Sequence, residues 1–531
     1  CAAGDERAVA ALRARKHRED KPFALVAPSL EAAAELVTLR AADAALLAGR
    51  ERPIVLAPRR PDAPVAAAVA PRSADLGVML PYAPLHHLLL ADAGVALVLT
   101  SGNVSDEPIA YRDDDAVERL RGIADRFLVH DRPIQVRTDD SVARSTGGGP
   151  LFLRRSRGYV PASTPLPVPA ARPILACGAE LKSTFCVAKG GRAWVGHHIG
   201  DLRNYETLES FTEGIEHFQR LFAVAPEIVA HDLHPDYLST RYALDRPGVE
   251  QVGVQHHHAH LAAALAEHGE TGPAVGAIYD GAGYGPDGTV WGGELLVGDL
   301  RGFERVGHLR AARLPGGDRA AREPWRMACA WLVEAVGPQP ALPPALVAAV
   351  DAAAWRAVAG LAATGFSAPV TTSAGRLFDA VAALCGLRAR VNYEGQAAVE
   401  LEAACDPAER GAYEIGCDAE LVLDPRPAIR AVARDVAAGV PVPAVAARFH
   451  NGLAEATATA CVLAAERHGL DRAVLSGGVF QNRVLLERTS ALLRRAGLRV
   501  LVPLRLPPGD GGIAYGQAAV AAARIDSRSQ L

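Results

Sequence analysis

Short apolar runs alternate with longer helical patterns through the first 160 residues. Runs at 23–27, 54–57, 97–100 and 126–129 have the length of strands, while 30–48 and 84–93 repeat apolar residues at helical spacing. This alternation predicts an α/β domain built on a twisted, mixed sheet. Residues 161–173 then place prolines at 161, 165, 167, 169 and 173. Proline removes a backbone donor and cannot continue a helix or a central strand, so a stiff extended linker is expected. Beyond it, a strand from 174 runs into a glycine turn at Gly178, with further strands at 184–188 and 192–195. The same order returns later as a strand at 274–279, a glycine turn, and strands at 289–291 and 293–297. Two such units predict a duplicated, two-lobed architecture with nucleotide in the cleft between the lobes. Helical patterns fill 205–222, 257–267, 344–361 and 444–469. A strand at 473–480 enters a double-glycine turn ahead of a helix at 482–495. The expected organisation is a first domain over 1–160, a linker over 161–173, a second domain over 174–523 and a tail over 524–531.

Half of the 531 residues are apolar, enough for two or more domains with sizeable cores. A net charge of −4 with 22% charged residues excludes a nucleic-acid coat or a polybasic membrane binder. Apolar stretches are short and bounded by proline or charge, so no membrane span is expected. Eight cysteines are scattered with no Cys-x-x-Cys pair, a usage that fits a reducing cytoplasm and excludes cysteine-pair zinc fingers. There is no signal-peptide pattern. The chain opens on Cys1 directly before a helical pattern, and on this reading it begins inside a domain.

The strongest chemical signal is Val254-Gln255-His256-His257-His258-Ala259-His260. On a helix starting after Gln255, His256 and His260 stand at i and i+4 on one face. Asp280, in Tyr279-Asp280-Gly281-Ala282-Gly283, and Asp510, in Pro507-Pro508-Gly509-Asp510-Gly511-Gly512, would bring carboxylates from distant glycine turns. Two imidazoles with carboxylates suit a divalent metal, and the donor set leaves iron, zinc, magnesium and manganese open. The ordinary readings are satisfied core histidines, a turn carboxylate at 280 and a helix N-cap at 510. His257 and His258 point elsewhere on the helix and read as structural. Three further segments suit a nucleotide. Gly477 and Gly478 precede Asn482 at a strand-to-helix turn suited to adenosine. Gly375 and Asp379 lie one helical turn apart, suited to ribose hydroxyls. Lys182 follows the Gly178 turn, suited to phosphate.

In the first domain, the basic run from Arg13 to Lys21 has the ordinary reading of a cationic helix C-terminus. The turn Thr100-Ser101-Gly102-Asn103 and the polar, cationic segments 138–144 and 153–159 change that reading. Converging cations and hydroxyls would bind a triphosphate and stabilise charge at its α-phosphorus.

As a set, these segments resemble the YrdC/Sua5 domain over most of 1–160. The resemblance implies an adenylation pocket lined by Lys16, Arg18, Lys21, Thr100, Ser101, Asn103, Ser141, Arg144, Arg155 and Arg157, with Lys16, Arg18 and Arg144 catalytic. Residues 172–523 resemble the Kae1-like branch of the actin/sugar-kinase/Hsp70 fold. That likeness implies metal binding by His256, His260 and Asp510, with Asp280 as a further ligand. It also implies nucleotide contacts from Lys182, Gly375, Asp379, Gly477, Gly478 and Asn482. The two domains in this order, with Arg15-Lys16-His17-Arg18 before Lys21-Pro22-Phe23, Gln255–His260 and Tyr393-Glu394-Gly395-Gln396-Ala397-Ala398, resemble the HypF family of carbamoyltransferases, which act in NiFe-hydrogenase maturation.

The family likeness implies that carbamate from carbamoyl phosphate is adenylated with ATP. The carbamoyl group then passes to the C-terminal cysteine thiol of a HypE-like acceptor, on the way to a cyanide ligand. No membrane partner is implied, and the mild acidity weighs against nucleic acid. Family members carry an acylphosphatase domain and zinc fingers that this sequence lacks, so acylphosphatase activity is not expected. Weakened adenylation is expected if a lysine-bearing opening strand is missing. The alternatives are an O-carbamoyltransferase acting on a small-molecule hydroxyl, whose relatives reverse the domain order, a tRNA-threonylcarbamoylating enzyme, and a nucleotide-binding fragment without turnover.

Overall fold

Apolar side chains from both faces of a central sheet organise the first domain, and helix Glu6–Arg15 packs Val9 into the same core as Phe23, Leu25, Val55 and Val78. The helix begins where the Asp5 carboxylate accepts the Ala8 N–H at 3.1 Å. The computed structural model describes residues 1–104 and 107–529. Six strands run in the order Leu97–Val98, Ala24–Val26, Asp75–Met79, Ile54–Pro58, Val142–Thr146 and Gly149–Arg154. Parallel pairing (Ala24 opposite Gly77, Ile54 opposite Val142) and antiparallel pairing (Val55 opposite Val78) are both present, as expected of a mixed sheet.

Two expectations for this domain are corrected. The pattern at 30–48 is two helices, Leu30–Leu36 and Ala41–Ala48. Val37 is extended and buried, the Thr38 N–H bonds to Pro58 O at 2.8 Å, and Asp43 restarts the helix by accepting the Arg40 N–H at 3.1 Å. A sheet contact thus outcompetes the helical period there. Residues 126–129 form no strand; Leu128 and Val129 lie exposed, with no sheet to bury them.

The proline-rich segment is not a linker. Thr164–Ala176 is a strand, antiparallel to Cys186–Val195 and parallel to Ile228–Asp232. Its prolines are tolerated because, within this strand, Ile174–Ala176 is the part that pairs with Ile228–Asp232, which leaves one edge of the earlier part outside that ladder. The register also shifts between Pro165 and Ala170 and again before Ile174.

The duplication is visible in topology. Ala274–Tyr284 likewise pairs antiparallel with Val290–Gly298 and parallel with Arg472–Ser476, inside a nine-stranded sheet. In both places two expected short strands are one continuous strand. Gly292, expected to separate them, and Gly293 are sites of close approach inside the strand, since a Cβ on Gly293 would sit 2.4 Å from Thr372 O. Helices Tyr205–Phe222, His256–Glu267 and Val442–His468 lie where the apolar period puts them. The 344–361 pattern resolves into a short turn at Pro344–Leu346 and a helix Ala352–Thr364 capped by Asp351. The last helix spans Ile513–Ser529, so most of the expected tail is helical, and residues 530–531 lie outside the described residues.

Two compact units divide the chain. One comprises Cys1–His231, Pro235–Val252 and Leu504–Ala518, the other Asp232–His234, Gly253–Pro503 and Ala519–Leu531. Among the described residues no helix is long and apolar enough to cross a membrane.

Candidate metal and nucleotide site

Gln255 sets where the histidine helix begins. Its side-chain oxygen accepts the His258 N–H at 2.9 Å and its amide nitrogen donates to Tyr284 O at 3.1 Å. The helix therefore starts at His256, and His256 and His260 share a buried face. Asp280 reaches them from strand Ala274–Tyr284, whose register breaks between Tyr279 and Gly283. Such an irregularity re-aims a side chain.

The Asp280 Oδ2 atom lies 3.2 Å from His256 Nε2 and 3.1 Å from His260 Nε2. Its Oδ1 accepts N–H groups from Gly281 at 2.8 Å and Gly478 at 3.2 Å. Behind the cluster, the buried Asp232 carboxylate receives His256 Nδ1–H at 2.8 Å. Burial lowers the His260 imidazole from its usual value. Burial also opposes charge on Asp280, but hydrogen bonds and charge from His256 and His260 outweigh it and hold the carboxyl well below the ordinary range.

This geometry fits a metal. With a proton on His256 Nδ1 facing Asp232, its Nε2 lone pair confronts a carboxylate oxygen at 3.2 Å. Either a second ring proton or a metal cation must lie between these two atoms, and a bound divalent cation would take the place of that proton. His256, His260 and Asp280 can each offer a ligand atom, all within 4.8 Å of one another. His257 and His258 are structural. His257 packs near Trp291 and bonds Gln255, while His258 bonds Asp299 O at 2.7 Å, and burial lowers both imidazoles.

The helix Ala374–Leu384 docks its N-terminus on the Asp280 turn. The Ser373 hydroxyl lies 2.7 Å from Gly281 O, and a Cβ on Gly375 would sit 2.9 Å from Gly281 Cα. One turn further on, Asp379 is buried and ion-paired with Arg376 at 2.9 Å. Burial raises its carboxyl to about 6 against the opposing pull of Arg376. Gly477 and Gly478 lie against the same strand, and only Gly478 among the glycines of that turn donates to Asp280.

At Gly477 φ is +95° and a Cβ would lie 2.2 Å from Tyr279 O. Gly477→Ala is therefore expected to cost about 3 kcal/mol or more, whereas Gly439→Ala, also at positive φ but in open space, costs about 1 kcal/mol. Denaturant midpoints of the two variants test this; equal shifts would remove the close approach as the cause.

Asn482 is otherwise engaged. It caps helix Arg483–Arg495 through Leu485 N–H at 3.0 Å, and its amide lies 2.8 Å from His450 Nε2. Gln396 of the Tyr393–Ala398 segment is the first residue of helix Gln396–Ala403, and its side-chain oxygen accepts the Asn392 N–H of the preceding loop at 2.9 Å. Lys182 and Asp510 belong to the other compact unit. Lys182 sits in a left-handed turn whose N–H bonds Asp201, and Asp510 is buried in the turn Asp510–Gly512.

In the first domain, Lys16, Ser101 and Asn103 meet. Lys16 Nζ donates to Ser101 O and Asn103 O, both at 2.8 Å, and lies 3.2 Å from Asn103 Oδ1; the Ser101 hydroxyl lies 2.7 Å from that same oxygen. Burial, then the Arg18 charge, lowers the Lys16 ammonium to about 8. Thr100 precedes this turn, half-buried. Arg144 is buried 3.9 Å from Asp75.

The other residues of the expected pocket carry structural bonds. Ser141 bridges Arg157 O and Ser156 N–H. Arg155 donates to Tyr159 O at 2.7 Å. Arg157 holds Asp140, Glu51 O and Arg52 O and stacks on Tyr82. Arg18 donates to Lys21 O at 3.0 Å and lies over Phe23, while the Lys21 side chain is exposed.

Sequence reasoning missed Asp232, Arg13 and Arg376. Asp232 had a usable signal, a carboxylate at the carboxyl end of strand Ile228–Asp232, where α/β folds collect ligand groups. Arg13, buried and donating to Arg18 O, Glu19 O and Lys21 O, shapes the basic loop.

The mixed-sheet first domain and the duplicated second domain match, by family comparison, the class of two-domain carbamoyltransferases. Residues 276–517 match the family described as carbamoyltransferase, Kae1-like domain, second subdomain, 169–267 match the HypF Kae1-like domain, and 1–156 match the family described as telomere recombination, which groups Sua5, YciO and YrdC. The chain belongs to the HypF family of carbamoyltransferases. It is 44% identical to carbamoyltransferase HypF of Rhodobacter capsulatus and 41% identical to carbamoyltransferase HypF2 of Cupriavidus necator, covering 99% of this chain and 70% of each relative. A crystal structure of full-length HypF in a phosphate- and nucleotide-bound form superposes with a TM-score of 0.95 at 40% identity, covering 99% of this chain and 69% of that one. HypF of T. kodakarensis gives 0.93 at 31% identity, covering 99% of this chain and 70% of that one.

Proposed function

We propose that the chain makes a carbamoyl adenylate from ATP and carbamate, and passes the carbamoyl group to the C-terminal cysteine thiol of a HypE-like acceptor in the cytoplasm, for the cyanide ligand of NiFe-hydrogenase. The observation that carries this reading is the convergence of His256 Nε2, His260 Nε2 and Asp280 Oδ2 beside the Gly281 and Gly478 N–H groups. The nucleotide-bound HypF relative supports ATP as the co-substrate.

On this reading His256, His260 and Asp280 hold one divalent metal, and the family likeness assigns Asp510 as the fourth ligand. When bound, the metal supplies positive charge for nucleotide phosphate. The chain's own groups bind and orient the rest. Gly375, Gly477 and Gly478 let backbone approach the nucleotide. Asp379 accepts from ribose hydroxyls, Lys182 faces phosphate, and Asn482 borders the adenosine while capping its helix.

In the first domain, over 1–160, Lys16, Arg18 and Arg144 supply the cations for adenylation. Lys21, Thr100, Ser101, Asn103, Ser141, Arg155 and Arg157 line or brace that pocket. Here Arg155 and Arg157 act by fixing backbone, and Lys16 holds the 101–103 turn while its charge favours an anionic α-phosphate. The second domain, from 174 to 523, carries the transfer. Carbamate and its adenylate decompose in water, so keeping both steps on one chain protects them.

Incubating the full chain with carbamate, ATP and a candidate acceptor, followed by intact mass spectrometry, tests the reading. A mass increase of one carbamoyl group at the acceptor's terminal cysteine, with pyrophosphate release, is expected. Carbamoylation of a small-molecule hydroxyl instead, or nucleotide binding with no pyrophosphate, would overturn it.

A further inference from the structure

We infer that Asp232 is a positioning residue that makes His256 a metal ligand by holding its proton on Nδ1. The inference rests on the metal reading above and goes beyond it. Asp232 ends strand Ile228–Asp232 and is fully buried. Both of its oxygens have defined work: Oδ1 accepts the His234 N–H at 2.9 Å, and Oδ2 lies 2.8 Å from His256 Nδ1. The backbone bond fixes the plane of the carboxylate, and the carboxylate in turn fixes the imidazole.

A carboxylate has no proton to give, so the hydrogen in the Asp232–His256 contact belongs to Nδ1. The neutral ring then carries its lone pair on Nε2, the atom that faces Asp280 and the proposed metal position. A carboxylate behind a ligating imidazole also raises the basicity of the ligating nitrogen. The chemistry Asp232 serves is therefore binding of a single divalent cation through Nε2, not contact with nucleotide or acceptor.

Asp232→Asn discriminates this role from mere packing. Asparagine keeps the shape but offers one acceptor oxygen and one NH₂. If the oxygen keeps the His234 N–H, the NH₂ meets Nδ1 as a donor and drives the His256 proton to Nε2, where it blocks the metal. If the amide turns over, the His234 N–H loses its acceptor.

The probe is Co²⁺ alone, titrated into the full metal-free chain and followed by its visible ligand-field bands. The parent, Asp232→Asn and His256→Ala are compared, and thermal unfolding of each metal-free protein is recorded. Asp232→Asn is expected to weaken Co²⁺ binding by about 10- to 100-fold with an altered band envelope, and His256→Ala to remove the site. Unchanged affinity and bands in Asp232→Asn, while His256→Ala removes them, overturns the inference and leaves the metal reading standing. If parent and His256→Ala bind Co²⁺ alike, the metal reading itself fails.

Should Asp232→Asn not fold, ¹⁵N-histidine NMR of the parent with Zn²⁺ decides the question. Metal on Nε2 with a protected Nδ1–H on His256 is expected, and metal on Nδ1 overturns the proposal.

Discussion

Replacing both His256 and His260 by alanine abolishes stoichiometric divalent metal in the full chain and weakens its nucleotide binding. The two Nε2 atoms converge on one Asp280 oxygen at 3.2 and 3.1 Å, so the double variant removes both nitrogens of the proposed ligand set. The loss should exceed the roughly 10- to 100-fold that follows from removing a supporting partner alone. Asp280 stays held by the Gly281 and Gly478 N–H groups, so the turn it occupies should survive. Elemental analysis after dialysis, with nucleotide titration of the same samples, measures both effects. Retention of one metal per chain in the double variant would take this site out of the proposed chemistry. The double variant is also expected to lose stability, because it leaves the buried Asp232 and Asp280 carboxylates without their imidazole partners, so thermal unfolding of the metal-free protein is recorded beside metal content.

The second large effect is at Lys16. Lys16→Ala should lower carbamate-dependent ATP–pyrophosphate exchange by about 100-fold or more, the scale on which removing one charge-stabilising donor acts. It removes a cation and also the bonds from Nζ to Ser101 O and Asn103 O that shape the turn beside it. Lys16→Arg separates the two roles. A guanidinium keeps the charge but does not reproduce the compact three-way donation, so partial activity in Lys16→Arg points to charge, and none points to the turn. Metal content of both variants should match the parent. Exchange within twofold of the parent in Lys16→Ala would remove Lys16 from the catalytic set.

Much of this was legible before any coordinates. The i, i+4 histidines sit on a helix that starts where Gln255 predicted, and His257 and His258 turned out structural, because helical periodicity decides which of four neighbouring histidines share a face. The repeated strand order likewise announced the duplicated topology. Local rules failed where a distant partner decided. The proline run became a strand because its sheet leaves one edge unpaired there. Gly292 separates two strands expected from sequence, but with Gly293 it lies inside one continuous strand pressed against Thr372 and Ser373. Arg155 and Arg157, expected from sequence to line a pocket, also hold backbone carbonyls, contacts that a charge pattern does not encode.

By itself the order of residues determined the family, the α/β character of the domains and which imidazoles share a helix face, because these depend on local period and short motifs. The tertiary structure alone decided that Asp280 and Asp232 flank His256 on opposite ring nitrogens, and that Lys16 reaches the 101–103 turn. Those facts join residues 24 to 87 positions apart. Only the packing of strand ends against a buried helix sets such distances, and no local propensity encodes them.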